Sequence, residues 1–214
     1  MRVFVILFTF LLTSCFQTQE NNRPLAQKSN SMENSSLKTL VFGGGCFWCV
    51  ESCFNMLKGV DKAISGYSGG HTTNPTYEEV CTGETGHAEV VEIYYDPKVI
   101  SFEKLMEVFF FLHDPTQLNR QGNDIGTQYR SIVFYDSIEE KKKIEEAIKR
   151  SEQEGRWQGT YVTQIVERQT FYPAETYHQG YYWDNPNTPY CSAVVGPKIA
   201  KFKTYFGEKG DLKE

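Results

Sequence analysis

The run Gly43-Gly44-Gly45-Cys46-Phe47-Trp48-Cys49-Val50-Glu51 holds the residue types best suited to chemistry in this chain. It follows the apolar Leu40-Val41-Phe42 and opens a segment in which Phe47, Val50, Phe54 and Leu57 recur at helical spacing. A cysteine at such a strand-to-helix junction faces unpaired backbone N–H groups and the positive end of the helix dipole. Both favour the thiolate and lower the thiol pKa. The glycines permit a tight turn and leave room for another molecule to approach the sulfur. With Phe47 and Trp48 directly after it, Cys46 reads as a reactive thiolate beside an apolar pocket.

Other readings of this run are weaker. An inert buried thiol is the commonest state of a free cysteine. Gly-rich turns into helices also bind phosphates, but no Lys-Ser/Thr follows these glycines and no G-x-G-x-x-G with a downstream acid is present. A zinc site needs more ligands at short spacing, and only one C-x-x-C occurs.

The ends of the chain narrow the setting. Arg2 is followed by the apolar run Val3 to Leu12, which is too short to span a bilayer and reads as a signal-peptide core. The run closes on Leu12-Thr13-Ser14-Cys15, which resembles a bacterial lipobox. Residues 1–14 are therefore expected to be a signal peptide, cut before Cys15, with lipid on Cys15 holding an exported protein to a membrane. Residues 15–36 are rich in Gln, Asn and Ser and read as a tether. The folded domain is expected over residues 37–214.

Six cysteines less a lipidated Cys15 leave Cys46, Cys49, Cys53, Cys81 and Cys191. An odd number in an exported protein points to a free or cycling thiol, not to a closed disulfide framework. The formal charge of −5 comes with no basic stripe, so no nucleic-acid partner is expected.

The elements that must position Cys46 follow from periodicity and caps. Strands are expected at Leu40–Phe42, Val60–Ser65, Ala88–Tyr95, Tyr129–Tyr135 and Tyr161–Arg168. Helices are expected after Cys46 up to Gly59, after the Ser101 cap, from the Ser137/Glu140 capping box to Gly155, over Ala174–Trp183 and over Pro197–Phe206. The order β-α-β-β-α-β, then α-β, predicts an α+β fold with a ferredoxin-like split βαβ two-layer core, an extra strand, further helices and a long C-terminal tail. The long polar loops Gly66–Thr76 and His113–Thr127 serve no packing purpose, so they are expected to carry function.

Four polar-aromatic segments stand beside strand ends: Gly45–Cys49, Asn74–Tyr77, Gly86–Glu89 and Asn123–Tyr129. Together with Ser65-Gly66-Tyr67-Ser68-Gly69-Gly70, His113-Asp114-Pro115-Thr116 and Tyr177-His178-Gln179, they resemble the peptide methionine sulfoxide reductase A family over essentially all of Leu40 to Phe206. These enzymes restore oxidised methionine in damaged proteins.

The resemblance implies roles for residues at matching positions. Cys46 is the nucleophile that attacks the sulfoxide sulfur. Glu89, kept neutral by an apolar site, protonates the oxygen. Tyr77 and Tyr129 hydrogen-bond that oxygen, and Asp124 helps to hold substrate or water. Phe47 and Trp48 receive the substrate's methyl group, which with the fixed oxygen implies selectivity for the S epimer. Methionine leaves a sulfenic acid on Cys46, and a second thiol condenses with it. Cys191, in Pro189-Tyr190-Cys191 on a tail that is mobile in the family, is the favoured resolver. Cys49, where many members have Gly, is an alternative resolver or a relay. The implied partners are proteins carrying methionine-S-sulfoxide and thioredoxin or a similar dithiol protein, with free methionine-S-sulfoxide as a further substrate. No metal or organic cofactor is implied, and a monomer is expected. His87 and His178 read as structural hydrogen-bonders, and Cys53 and Cys81 as structural thiols. A thiol–disulfide oxidoreductase using Cys46 and Cys49 is the main competing reading, and a non-catalytic lipoprotein the other.

Overall fold

The computed structural model describes residues 37–214. The expected signal peptide, the tether and Cys15 lie outside these residues. Four strands form the centre: β1 (Lys38–Gly43), β2 (Val60–Ser68), β3 (Ala88–Tyr95) and β6 (Ile132–Tyr135). They lie in the order β6-β1-β3-β2, each antiparallel to its neighbour. Helix α1 (Phe47–Asn55) connects β1 to β2, and α3 (Phe102–Leu112) stands between β3 and β6. This is the expected split βαβ core. Two further strands widen it. β7 (Gln164–Glu167) adds parallel to β6 after α4 (Ile138–Glu154), and β8 (Tyr172–Pro173) adds to β2.

Both faces of this sheet are covered. Phe42, Val91, Ile93 and Val133 belong to the main core with α1, α3 and the C-terminal helix α6 (Gly196–Glu208). Val41, Ala88, Val90, Ile132 and Phe134 form a smaller apolar cluster with Val166 and Phe171 packed against it. The helix caps obey local chemistry. Thr76 forms a capping box with Glu79, and Ser101 and Ser137 accept backbone N–H groups at the starts of α3 and α4.

Several boundaries differ from the sequence reading. β2 runs three residues further, to Ser68, because its edge is completed by β8 and by Gln179, whose amide bonds both the N–H and the C=O of Ser65. Asn74–Tyr77 leads into a short helix, α2 (Tyr77–Cys81). The loop after His113 contains a two-stranded ribbon, β4 (Arg120–Gln121) with β5 (Asp124–Ile125). Ala174–Trp183 is not one helix. Gly180 at φ +67° breaks it into a 3-10 turn, Thr176–His178, and α5 (Tyr181–Asp184). Cys191 begins a π-helical turn, Cys191–Val195, that runs directly into α6.

The end of the chain is tied down. Lys213 N–H donates to Met56 O at 2.8 Å, Lys58 N–H donates to Asp211 O at 2.9 Å, and Leu57 bridges to Leu212. Among the described residues no helix is long and apolar enough to cross a membrane.

Candidate active site

The turn between β1 and α1 is built by close approach. A Cβ on Gly43 would lie 2.4 Å from Glu89 O, and one on Gly44 would lie 2.8 Å from the His113 ring. Gly45, at φ +82°, then reverses the backbone, and its N–H donates to Tyr129 O at 3.1 Å. These contacts seat Cys46 at the N-cap of α1. The helix has no side-chain cap there, so its first N–H groups need another acceptor. Glu89 supplies it: Phe47 N–H donates to Glu89 Oε2 at 3.0 Å.

Glu89 shares a face of β3 with Val91, Ile93 and Tyr95, the face that α1 and α3 cover, and it is only 2 % exposed. Burial raises its carboxyl well above the usual carboxylate range. Cys46 and Asp124 add to this, while the Phe47 N–H opposes it. With Oε2 occupied by that N–H, Oε1 is the oxygen left to carry the proton.

Cys46 is 5 % exposed. Burial pushes its thiol well above the ordinary value, and the neighbouring Cys49 pushes in the same direction. The Tyr190 hydroxyl and the Trp48 N–H pull the other way. Burial of the sulfur thus acts against the lowering expected at the helix N-terminus.

Cys46, Phe47, Trp48, Tyr77, Glu89, Tyr129 and Tyr190 together line an open cavity of about 250 Å³. Trp48 is fixed on three sides. Its ring stacks on Tyr181 at 3.8 Å and meets Tyr190 edge-on at 5.8 Å, and its Nε1–H donates to His178 Nδ1 at 3.1 Å. Burial lowers the pKa of His178, which favours the neutral ring that this bond requires. Glu175 braces the opposite wall by accepting from Tyr77 N–H at 2.9 Å and from the Tyr67 hydroxyl at 2.8 Å. Burial and the nearby Glu89 raise both the Tyr77 and Tyr129 phenols, so these remain hydrogen-bond donors. Cys81, an exposed thiol at the end of α2, adds to the rise at Tyr77.

The fold therefore gathers Cys46, Phe47, Trp48, Tyr77, Glu89 and Tyr129 around one cavity. Asp124 enters indirectly: its Oδ2 accepts from the Tyr190 hydroxyl at 2.7 Å. Tyr190 was not singled out in the sequence, where the only hint was its place beside Cys191. Cys191 itself is fully buried in the π-helical turn. All five described cysteines are free, and Cys49 follows Cys46 by one helical turn, its backbone N–H donating to Cys46 O at 3.2 Å. His87 is held between Gly70 N–H, which donates to Nδ1, and Thr72 O, which takes the Nε2 proton. Among the described residues no group of three or more His, Cys, Asp and Glu side chains forms a metal site. A buried thiol, a neutral carboxyl and two phenols around a cavity with an aromatic wall can bind a thin apolar group ending in an oxygen, protonate that oxygen and accept it onto sulfur.

Comparison with known proteins points the same way. A family model described as peptide methionine sulfoxide reductase matches residues 38–210. The peptide methionine sulfoxide reductase MsrA of Pasteurella multocida is 53 % identical over 168 residues, covering 78 % of this chain and 95 % of the relative. That of Nautilia profundicola is 53 % identical over 162 residues, covering 76 % and 92 %. Among solved structures, methionine sulfoxide reductase A of Corynebacterium diphtheriae is similar with a TM-score of 0.63 at 36 % identity, over 71 % of this chain and 76 % of that one. Reduced Mxr1 from Saccharomyces cerevisiae is similar with a TM-score of 0.66 at 35 % identity, over 72 % and 89 %.

Proposed function

The chain belongs to the peptide methionine sulfoxide reductase family, and from that premise we propose that it reduces methionine-S-sulfoxide in proteins, and in the free amino acid, at Cys46. The observation that carries this reading is the buried Glu89 carboxyl in the same cavity as a buried thiol.

The substrate's methyl group enters against Phe47 and Trp48, and its oxygen faces Glu89, Tyr77 and Tyr129. Cys46 attacks the sulfoxide sulfur and forms a bond to it while Glu89 gives its proton to the oxygen; the hydroxyl then passes to Cys46 Sγ as the substrate S–O bond and the new sulfur–sulfur bond break, releasing the thioether. The Cys46 thiol proton returns to the Glu89 carboxylate, so one thiol and one sulfoxide become one sulfenic acid and one thioether with no net proton change. Tyr77 and Tyr129 stabilise the charge that grows on oxygen. Methyl and oxygen held on fixed sides of the sulfur give selectivity for one epimer.

The place of Cys49 one helical turn from Cys46, its backbone N–H donating to Cys46 O at 3.2 Å, supports Cys49 as the first thiol to condense with the sulfenic acid, releasing water and forming a disulfide. Cys191 then serves as a second acceptor of that disulfide. This reverses the preference drawn from sequence, and the reason is that Cys191 is fully buried in the π-helical turn while Cys49 lies one turn from Cys46 at the start of α1. A thioredoxin-like dithiol completes the cycle. The competing reading, exchange with protein disulfides, gives no task to the buried Glu89 carboxyl and the Tyr77 and Tyr129 phenols that share the cavity with Cys46. Residues 1–36 support an exported chain anchored through lipid on Cys15, on the strength of Leu12-Thr13-Ser14-Cys15.

Turnover of the two separated epimers of a peptide methionine sulfoxide with dithiothreitol tests the reading. Conversion of the S epimer alone is expected. Conversion of neither epimer sinks it.

A further inference from the structure

Arg130 is 8 % exposed, and burial lowers its pKa with no carboxylate acting on it among the described residues. Buried cations are normally paired, because leaving water is costly for a charge. This guanidinium donates instead to three neutral oxygens on three different segments. Nη2 donates to Gly86 O at 3.0 Å, Nη1 to Thr127 O at 2.9 Å and Nε to Gln164 Oε1 at 3.1 Å. Room for it is made at Gly69, where a Cβ would lie 3.0 Å from Nη2 on a backbone at φ +85°.

Two of these acceptors sit next to the reacting groups. Gly86 precedes Glu89 by three residues, and Thr127 opens the 3-10 turn that ends at Tyr129. We infer that Arg130 is a positioning residue for sulfoxide reduction: it fixes the spacing between the loop that delivers the Glu89 carboxyl and the turn that delivers the Tyr129 phenol. Acid and phenol can serve one oxygen only if those two segments keep their separation. A planar fork spreads its donors over three nitrogens and reaches acceptors on separate segments, whereas a lysine's donors all radiate from a single nitrogen. The inference rests on the reading of the cavity given above.

The test compares the full chain with Arg130→Gln and Arg130→Lys in turnover of a peptide methionine-S-sulfoxide with dithiothreitol. Rates are normalised to reactive Cys46 counted by thiol titration in the same samples. Misplacing a catalytic group by an ångström costs about 100-fold, so Arg130→Gln is expected to lose roughly 10- to 100-fold in kcat per reactive site with KM nearly unchanged. Arg130→Lys should fall between it and the unaltered chain. A merely structural arginine would lower the melting temperature and the number of reactive sites while leaving kcat per site unchanged, and that result overturns the assignment. So does a loss confined to KM. If Arg130→Gln yields no folded protein, Arg130→Lys decides by the same criteria. Absence of turnover by the unaltered chain would overturn the sulfoxide reading itself, and this inference with it.

Discussion

Replacing Glu89 with Gln separates the roles this side chain plays. Gln keeps the volume, and its carbonyl oxygen can still accept the Phe47 N–H now bonded at 3.0 Å. The start of α1, and Cys46 with it, should stay in place. What is lost is the proton. General acid catalysis contributes about 10² to 10⁴-fold. Because Tyr77 and Tyr129 still donate hydrogen bonds to the oxygen, the lower part of that range is expected, about 10² to 10³-fold, or roughly 3–4 kcal/mol in barrier height. Single-turnover release of methionine from an S-sulfoxide peptide, followed by chromatography, measures this without interference from disulfide recycling. The pH dependence adds a second check. Glu89 has a raised pKa in the fold, so the unaltered enzyme should hold its acid form to higher pH and lose rate as pH rises through that value. The variant should lack this limb. Stability of the parent should fall along the same limb as its rate. An acid whose folded pKa is raised stabilises the fold relative to its ionised form at low pH and loses that contribution as pH rises through the folded value. Glu89→Gln should therefore match or exceed the parent in melting temperature at alkaline pH. A single-turnover rate at neutral pH within about threefold of the parent would refute the acid role.

Cys46→Ser should abolish turnover, and Cys49→Ser should lose rapid disulfide formation after the first methionine is released. If Cys191→Ser stalls at one turnover while Cys49→Ser cycles normally, the order proposed for the two thiols is wrong. Gly44→Ala should cost about 1–3 kcal/mol of stability by overpacking, since its Cβ would meet the His113 ring at 2.8 Å; chemical denaturation reads this out, and a neutral effect would mean the ring can yield. Asp124→Ala should release the Tyr190 hydroxyl from its 2.7 Å bond and raise KM more than it lowers kcat. An unchanged KM would mean that Tyr190 holds its place through Trp48 alone.

Much of this site was legible because the β1–α1 junction is local. Glycines, a cysteine and helical spacing lie within one short run, and the caps at Ser101 and Ser137 are likewise encoded by neighbours. Glu89 was harder. In Ala88-Glu89-Val90-Val91-Glu92 an acid reads as solvent-facing, but β3 lies between β1 and β2 with apolar layers on both faces, and only topology reveals that. Helix α2 did have a signal, the capping pattern Thr76-x-x-Glu79, set inside what reads as loop. The break at Gly180 was marked by the glycine itself. Tyr190 reaches Asp124 across 66 residues, and no local pattern encodes such a meeting. The Cys46 thiol pKa is raised first by burial, whose depth no local pattern encodes.

The segment carrying Tyr190 and Cys191 is a span between two anchors and not a free tail. On one side, Gly180 N–H is bonded to Glu51 at 2.8 Å and Tyr181 is stacked on Trp48. On the other, α6 is buried through Phe202 and Phe206, and the residues after it are stitched to the end of α1. Anchored ends keep Cys191 at high effective concentration near the nucleophile even when the span melts, since only a short loop has to close. The barrier to using it is then a local unfolding event: one π-helical turn unwinds and the Tyr190–Asp124 bond parts. If Cys191 takes the place proposed for it in the cycle, the cost of that opening would set how long an oxidised pair persists before it is handed outward.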